Sequence, residues 1–149
     1  MKKSTIIALG AAVVLTLAAI ITFALWKTEA GRVEEITKRA KDGDAEAQLR
    51  LGNLLWNGND GAGLEPNAEE AERWLLLSAE QGHWPAQHAL GVFYQSAGDH
   101  VGAYAWFTIA DNGSSELTSQ LRQNAAIQLN ATQLSEAKAL IDEVKENIK

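Results

Sequence analysis

After residue 30 the apolar residues recur at intervals of three and four, which is the spacing of amphipathic helices. Short polar stretches rich in Gly, Asn, Asp and Ser separate these segments, as is typical of turns. The predicted helices cover about residues 32–41, 45–57, 68–81, 85–96, 101–111 and 115–129, with a last helix from 131 onward. No useful length of this part alternates apolar and polar residues, so we predict an all-α domain without a sheet.

The turn between the fifth and sixth of these helices contains a stop signal followed by a start signal. Asn112 and Gly113 are predicted to end one helix, and either Ser114 or Ser115 is predicted to cap the next.

A phrase of the sequence occurs twice, 39 residues apart. Residues 47–55 and 86–94 share the order Ala-Gln-x-x-Leu-Gly, and residues 70–74 and 102–106 share Ala-x-x-Trp. Self-similarity with a period of about 20–50 residues is typical of stacked helical repeats, in which each unit packs on the next. Because the connections are short, we predict antiparallel helical hairpins.

Two glycines fall at the same place in the two repeats. Gly52 and Gly91 lie in the middle of predicted helices, where glycine costs about 1 kcal/mol relative to alanine. We therefore expect a neighbouring helix to approach closely at each glycine. Trp74 and Trp106 are the side chains predicted to fill that space.

These phrases resemble the Sel-one-like repeat (SLR) family, which is related to the tetratricopeptide repeats. The first unit matches the family pattern at Ala40, Gly43, Ala47, Gln48, Leu51, Gly52, Gly58, Gly61, Gly63, Ala71, Trp74, Ala79, Glu80, Gln81 and Gly82. The second unit matches at Ala86, Gln87, Leu90, Gly91, Tyr94, Asp99, Ala103, Trp106, Phe107, Ala110 and Gly113. The first unit has a longer loop at residues 58–63 than the pattern, and the second lacks the Gly-x-Gly loop.

The resemblance implies a short solenoid of αα-hairpins, with repeats at about residues 40–82 and 83–113 and closing helices at 114–149. We therefore divide the chain into an N-terminal membrane anchor or signal segment, residues 1–30, and a repeat domain, residues 31–149. Members of the family usually act as adaptors or scaffolds, and many bacterial members work in the cell envelope or in signalling. The family has no shared catalytic residues, so the resemblance implies a protein that is not an enzyme.

Residues 6–26 form an apolar run without charge. As a helix this run would be about 30 Å long, which matches the hydrocarbon core of a bilayer. The run is longer than the apolar region of most signal peptides, and Trp26 fits the aromatic belt at a membrane interface. We predict a retained single-span anchor, with a cleaved signal peptide and a secreted or periplasmic protein as the alternative.

The charges beside this run give opposing signals for its orientation. Basic residues after the run outnumber Lys2 and Lys3 before it, but several of them belong to the predicted helix at 32–41. A short basic start followed by an apolar run is the usual export signal. We therefore predict a single-pass protein of the inner membrane whose repeat domain faces the periplasm.

The composition excludes several kinds of site. Residues 31–149 carry 10 Lys or Arg and 18 Asp or Glu, an acidic balance that disfavours nucleic acid as a partner. The chain has no cysteine, which rules out disulfides and thiolate metal sites. His83 and His88 are five residues apart, so one helix face cannot present both to a metal ion. We predict no metal site and no small-molecule cofactor.

The candidate binding residues lie on the first helix of each repeat, which in helical solenoids usually lines the concave face. Trp56 stands beside the family's core aromatic position and is therefore expected to be exposed, and tryptophan is enriched in binding hot spots. The predicted groove, which would hold a segment of a partner protein, consists of Arg50, Asn53, Trp56, Asn57, His88 and Gln95, with Val92 beside them.

Two other functions are alternatives to this protein-interaction module. One is a structural subunit of a membrane complex whose apolar helix makes the contact. The other is an envelope hydrolase, which is disfavoured because no nucleophile, general base or metal cluster is recognisable in the sequence.

Overall fold

The computed structural model is 81% helical. It describes the backbone of residues 2–111 and 115–148 and the side chains of residues 14–24, 27–59, 61–111 and 115–148. The helices of this part are α1 (Lys2–Lys41), α2 (Ala45–Asn57), α3 (Ala68–Ala79), α4 (Trp84–Ser96), α5 (His100–Ala110), α6 (Glu116–Ala126) and α7 (Ala131–Asn147). The described residues form no strand, only an isolated antiparallel bridge between Asn59 and Leu64. The predicted all-α fold is confirmed, whereas the Asn112-Gly113 turn and the Ser114 cap lie outside the described residues.

The first helix is longer than predicted. The sequence indicated a separate helix from Arg32, but α1 continues without a break from Lys2 to Lys41. No proline interrupts residues 27–41, and an ion pair between Glu29 and Arg32, three residues apart, supports the helix across the expected boundary. Residues 14–24 are exposed, and α1 is the one helix of the described part that is long and apolar enough to cross a membrane.

Side chains cap most of the helices that follow. Asp44, Asn67, Asp99, Ser115 and Asn130 each accept a hydrogen bond from the backbone N–H three residues later. His83, which precedes α4, makes no such bond, and Pro85 occupies the first turn instead. The helix starts are therefore fixed by local side chains at most of the chain reversals.

Consecutive helices from α1 to α6 pack side by side, and α7 packs on α5. Trp74 joins α1, α2 and α3 in one cluster with Ala40, Ala47 and Leu51. The next cluster joins α3, α4 and α5, and the last joins α5 and α6 around Phe107. The core is thus a row of neighbouring clusters, as expected for a solenoid in which each unit contacts mainly its neighbours.

Gly52 and Gly91 do mark close approaches between helices. A Cβ atom at Gly52 would lie 2.8 Å from Cγ of Leu75, and one at Gly91 would lie 2.4 Å from Cδ1 of Phe107. Both neighbours are fully buried, and neither could move away without disturbing the core. Glycine is therefore required at both positions by the packing of the second helix of each repeat.

The side chains that fill these spaces differ from the prediction. Trp74 and Trp106 are buried, but Leu75 and Phe107, one position further along each helix, face the glycines. Successive side chains of an α-helix point about 100° apart. The repeated order of residues therefore did not resolve which of two adjacent apolar side chains faces the glycine.

A buried glutamine ties each repeat to the helix before it. Nε2 of Gln48 donates to the carbonyl oxygen of Ala40 at 3.1 Å, and Nε2 of Gln87 donates to that of Ala79 at 3.2 Å. Both glutamines are 5% exposed, and each bond spans eight residues. Gln48 bonds to the end of α1 in the same way that Gln87 bonds to the end of α3. The last turns of α1 therefore occupy the position that the second helix of a preceding repeat would occupy.

Candidate partner-binding groove

The six predicted groove residues lie on α2 and α4. Arg50, Asn53 and Asn57 are three or four residues apart on α2 and therefore share one face of that helix. Trp56 points about 100° away from its neighbour Asn57 around the axis of α2. It lies two turns after Leu49, and both side chains pack against the cluster that joins α3, α4 and α5. The α2 residues thus form a polar face with an aromatic side chain at its edge.

Trp56 bridges the seam between α2 and α4. Its ring centroid lies 5.4 Å from that of Phe93, with the planes at 62°, which is an edge-to-face contact. The sequence suggested an exposed side chain, whereas the structure shows a partly buried one that still reaches the surface. Trp56 therefore joins the two repeats and remains available to a ligand along part of its ring.

Arg50 is exposed over 60% of its side chain and belongs to a small network of polar side chains. Its Nε lies 2.7 Å from Oε1 of Glu46, and this hydrogen bond is the first cause of the lowered pKa of Glu46. Oε2 of Glu46 lies 3.3 Å from Nε2 of His83. An exposed ion pair contributes little stability, so Arg50 can turn from Glu46 to an acidic group of a partner at small cost.

The remaining α2 residues and Gln95 provide neutral amides. Nδ2 of Asn57 donates to the carbonyl oxygen of Asn53 at 2.9 Å, and this bond is exposed. Gln95 is partly buried near the end of α4. Amide side chains both donate and accept, so they suit the backbone groups of a bound polypeptide.

His88 lies one seam away from Trp56, between α4 and α6. Its Nδ1 is 3.1 Å from Oγ1 of Thr118, and its ring centroid is 5.7 Å from that of Phe107. Val92, one turn further along α4, packs on the cluster around Phe107. Arg50, Asn53, Trp56 and Asn57 therefore lie near one another on α2. His88, in contrast, contacts α6.

We expect acid to weaken the fold through His88. Burial lowers the pKa of His88 below its ordinary value, so the neutral imidazole is the form that the fold favours. The unfolded chain then binds more protons, and the contribution of His88 is complete above about pH 6.5 and is lost as the pH falls through the folded pKa. Urea unfolding of the full chain in detergent measures the free energy of unfolding at each pH. Between pH 7.5 and 5.5 this free energy should fall less for His88→Asn than for the wild type. Parallel curves for the two proteins over that interval would contradict this role, and parallel curves between pH 7.5 and 8.5 are the expected control.

Sequence reasoning missed a polar contact between the repeats. The hydroxyl of Tyr94 on α4 donates to Oε1 of Glu72 on α3, and burial followed by this bond raises the pKa of Tyr94. The first repeat has Leu55 at the corresponding position. The change from leucine to a residue with a hydroxyl was the available signal, because a buried hydroxyl needs a partner.

The described residues contain no group of three His, Asp or Glu side chains close enough to hold a metal ion. A surface cavity of about 660 Å³ lies along the end of α1 and the residue after it, between residues 31 and 42, and none of the groove residues lines it. The chemistry of the groove is thus that of a surface with an aromatic residue, an arginine and several amides.

Comparison with known proteins agrees with the helical repeats. The family model of the Sel1 repeat matches residues 45–83 and 84–110. Among solved structures, the chain is similar to a protective antigen of uropathogenic Escherichia coli strains that displays an SLR fold, with 33% identity and a TM-score of 0.69. The similarity covers 80% of this chain, which spans 26% of the antigen. The comparison with curated proteins gives no match.

Proposed function

The chain carries two Sel1 repeats, and from that premise we propose that it is a scaffold of the bacterial inner membrane that holds a segment of a partner protein on α2 and α4. Sel1 repeats typically mediate protein–protein interaction, and the SLR fold is generally a non-catalytic scaffold. The observation that carries the proposal is the partly buried Trp56 at the seam of the two repeats, beside the exposed Arg50 and Asn57.

The geometry also indicates the chemistry of the bound segment. Trp56 and Phe93 offer an apolar seam, which suits an aliphatic or aromatic anchor residue. Arg50 offers a guanidinium whose one ion pair among the described residues is the exposed pair with Glu46. We therefore propose a partner segment with an apolar anchor and a nearby acidic residue.

α1 supports the tether. Its residues 14–24 are exposed and apolar, and the same helix continues into the contact with α2. In the proposed arrangement the span lies in the inner membrane and the repeats lie in the periplasm. Because α1 runs without a break from the span into the repeats, the groove tilts together with the span, and the anchor raises its effective concentration near membrane-bound partners. Cleavage of the segment, which would release the repeats into the periplasm, is the alternative.

We expect Trp56→Ala to weaken partner capture about tenfold, which is the effect of losing roughly 1.4 kcal/mol at a hot spot. The measurement is cross-linking and pull-down from native membranes with the full-length protein as bait. Trp84→Ala is the matched control, because Trp84 is 54% exposed and begins α4 at the end opposite to Trp56. Both variants must first show the helical content of the wild type and remain fully folded at the temperature of the pull-down, since the loss of Trp56 from the seam is itself expected to lower the melting temperature.

A second pair of variants distinguishes a specific role of the Arg50 charge from a general effect of reversing a surface charge. Arg50→Glu should lose the partner, whereas Arg73→Glu should keep it, because Arg73 is an equally exposed arginine on α3. Equal capture by all four variants would contradict the groove and favour contact through α1. Replacing residues 5–26 with an unrelated span tests that rival, the structural subunit, directly.

A further inference from the structure

The apolar run of α1 fixes which end of the repeat domain lies next to the membrane. A short 3-10 helix at residues 60–62, in the loop between α2 and α3, packs on α1. A Cβ atom at Gly61 would lie 3.5 Å from Cγ of Glu29. Glu29 follows the end of the apolar run by three residues, or about 4.5 Å along the helix. The loop between α2 and α3 is therefore on the membrane side of the domain.

The turn between α6 and α7 lies on that same side. Tyr94, near the end of α4, reaches Glu72, near the start of α3, so the turn between α4 and α5 shares the side of the loop between α2 and α3. Ala103 early in α5 packs with Ala125 late in α6, which brings the end of α6 to this side as well. At the opposite end, Asn147 at the end of α7 lines a cavity with Gly43 and Gln81.

The residues of this turn carry neither charge nor histidine, whereas the other long uncharged stretches of the repeat domain, residues 81–98 and 100–110, contain His83, His88 and His100. Residues 123–135, which we call the neutral turn, contain no charged side chain, although residues 31–149 carry 28. Ile127 is 78% exposed and Leu134 is 44% exposed, and the side chains around them are mainly amides, hydroxyls and alanines. The start of α3, on the same side, carries the exposed Glu69 and is disfavoured near anionic headgroups.

We propose that the neutral turn rests on the bilayer that holds α1, with Ile127 in the interfacial region. This contact rests on the proposed membrane tether and adds a lipid-binding surface to it. Isoleucine side chains gain from leaving water, and amides and hydroxyls tolerate the hydrated headgroup layer. Because α1 already holds the domain at the membrane, a contact too weak to bind vesicles alone is sufficient. Two attachment points would hold the groove in one direction above the bilayer.

The absence of cysteine from the sequence makes the test direct, because a single introduced cysteine is the only labelling site. Ile127→Cys is labelled with an environment-sensitive fluorophore, and the full chain is placed in vesicles of phosphatidylcholine. Trp84→Cys is the matched control, since Trp84 is also exposed but lies at the far end of the domain. We expect a blue-shifted emission at position 127 that nitroxide-labelled lipids quench, and emission at position 84 that only aqueous iodide quenches.

The outcomes separate the contact from the tether. Equal quenching by iodide at both positions, with the protein still in the membrane after alkaline carbonate extraction, would reject the contact and leave the tether intact. Release of the protein by carbonate would reject the tether itself. A blue shift that nitroxide lipids do not quench and that disappears at low protein density would assign the neutral turn to a second copy of the chain and overturn the proposal.

Discussion

Replacing Gly91 with alanine is expected to lower the free energy of unfolding by about 2–3 kcal/mol. The new Cβ atom would lie 2.4 Å from Cδ1, 2.5 Å from Cε1 and 2.9 Å from Cγ of Phe107, which is fully buried. An aromatic ring is stiff, so α4 and α5 must separate or the ring must leave its rotamer. Alanine is the better helix former by about 1 kcal/mol, but this gain is smaller than the cost of the clash. Urea unfolding of the full chain in detergent measures the difference.

Two further variants identify the clash as the cause. Gly31→Ala should be neutral or slightly stabilising, because Gly31 lies within α1 and, apart from the backbone of α1 itself, no described atom lies within 4 Å of the added Cβ atom. Phe107→Leu, which removes the ring, should reduce the additional loss caused by Gly91→Ala, so the two substitutions should couple in a double-mutant cycle. Equal and independent losses from both substitutions would mean that α4 and α5 do not meet at this glycine.

The repeat architecture was predictable because it depends on periodicity, which the sequence displays directly. Helical spacing and the 39-residue repetition required no knowledge of which atoms touch. The side chain facing Gly91 was not predictable to one residue, because Trp106 and Phe107 are both large, apolar and buried. The continuity of α1 was also missed, since the apolar run ends at residue 26 and a separate helix was predicted from residue 32, whereas the ion pair between Glu29 and Arg32 supports one continuous helix there.

The candidate site was only partly predictable for a related reason. Arg50, Asn53 and Asn57 share a face of α2, and helical spacing alone predicts this. The position of Trp56 depends on Phe93, and that of His88 depends on Thr118, thirty residues further along the chain. Thr118 lies on α6, beyond the two matched repeats, so neither repeat phrase contained a signal for the contact. Contacts within one helix follow from sequence spacing, and contacts between helices need the packing.

The buried glutamines support the other large prediction. We expect Gln87→Glu to lower the free energy of unfolding by about 3 kcal/mol at pH 7, because it places an unpaired negative charge at a site that is 5% exposed. The introduced carboxylate would face the carbonyl oxygen of Ala79, which now accepts a hydrogen bond from Nε2 of Gln87. Gln87→Leu removes the bond without adding charge and should cost only about 1 kcal/mol, since the N–H of Gly82 still donates to that oxygen at 3.0 Å.

The pH dependence separates this mechanism from a general loss of packing. Burial and the facing carbonyl should raise the pKa of the introduced carboxyl in the folded state, so the lost stability should return as the pH falls, when the protonated group can donate to Ala79. Unfolding midpoints at pH 7 and pH 4 measure the return relative to the wild type. Gln123→Glu, at an exposed position on α6, is the control, and its free energy of unfolding should stay within about 0.5 kcal/mol of the wild-type value.

Gln48→Glu should cost less stability than Gln87→Glu, because Nε2 of Gln81 lies 2.7 Å from Oε1 of Gln48 and can donate to the new carboxylate. An equal loss at both positions, unchanged at pH 4, would show that the glutamines fill space without holding the ends of α1 and α3.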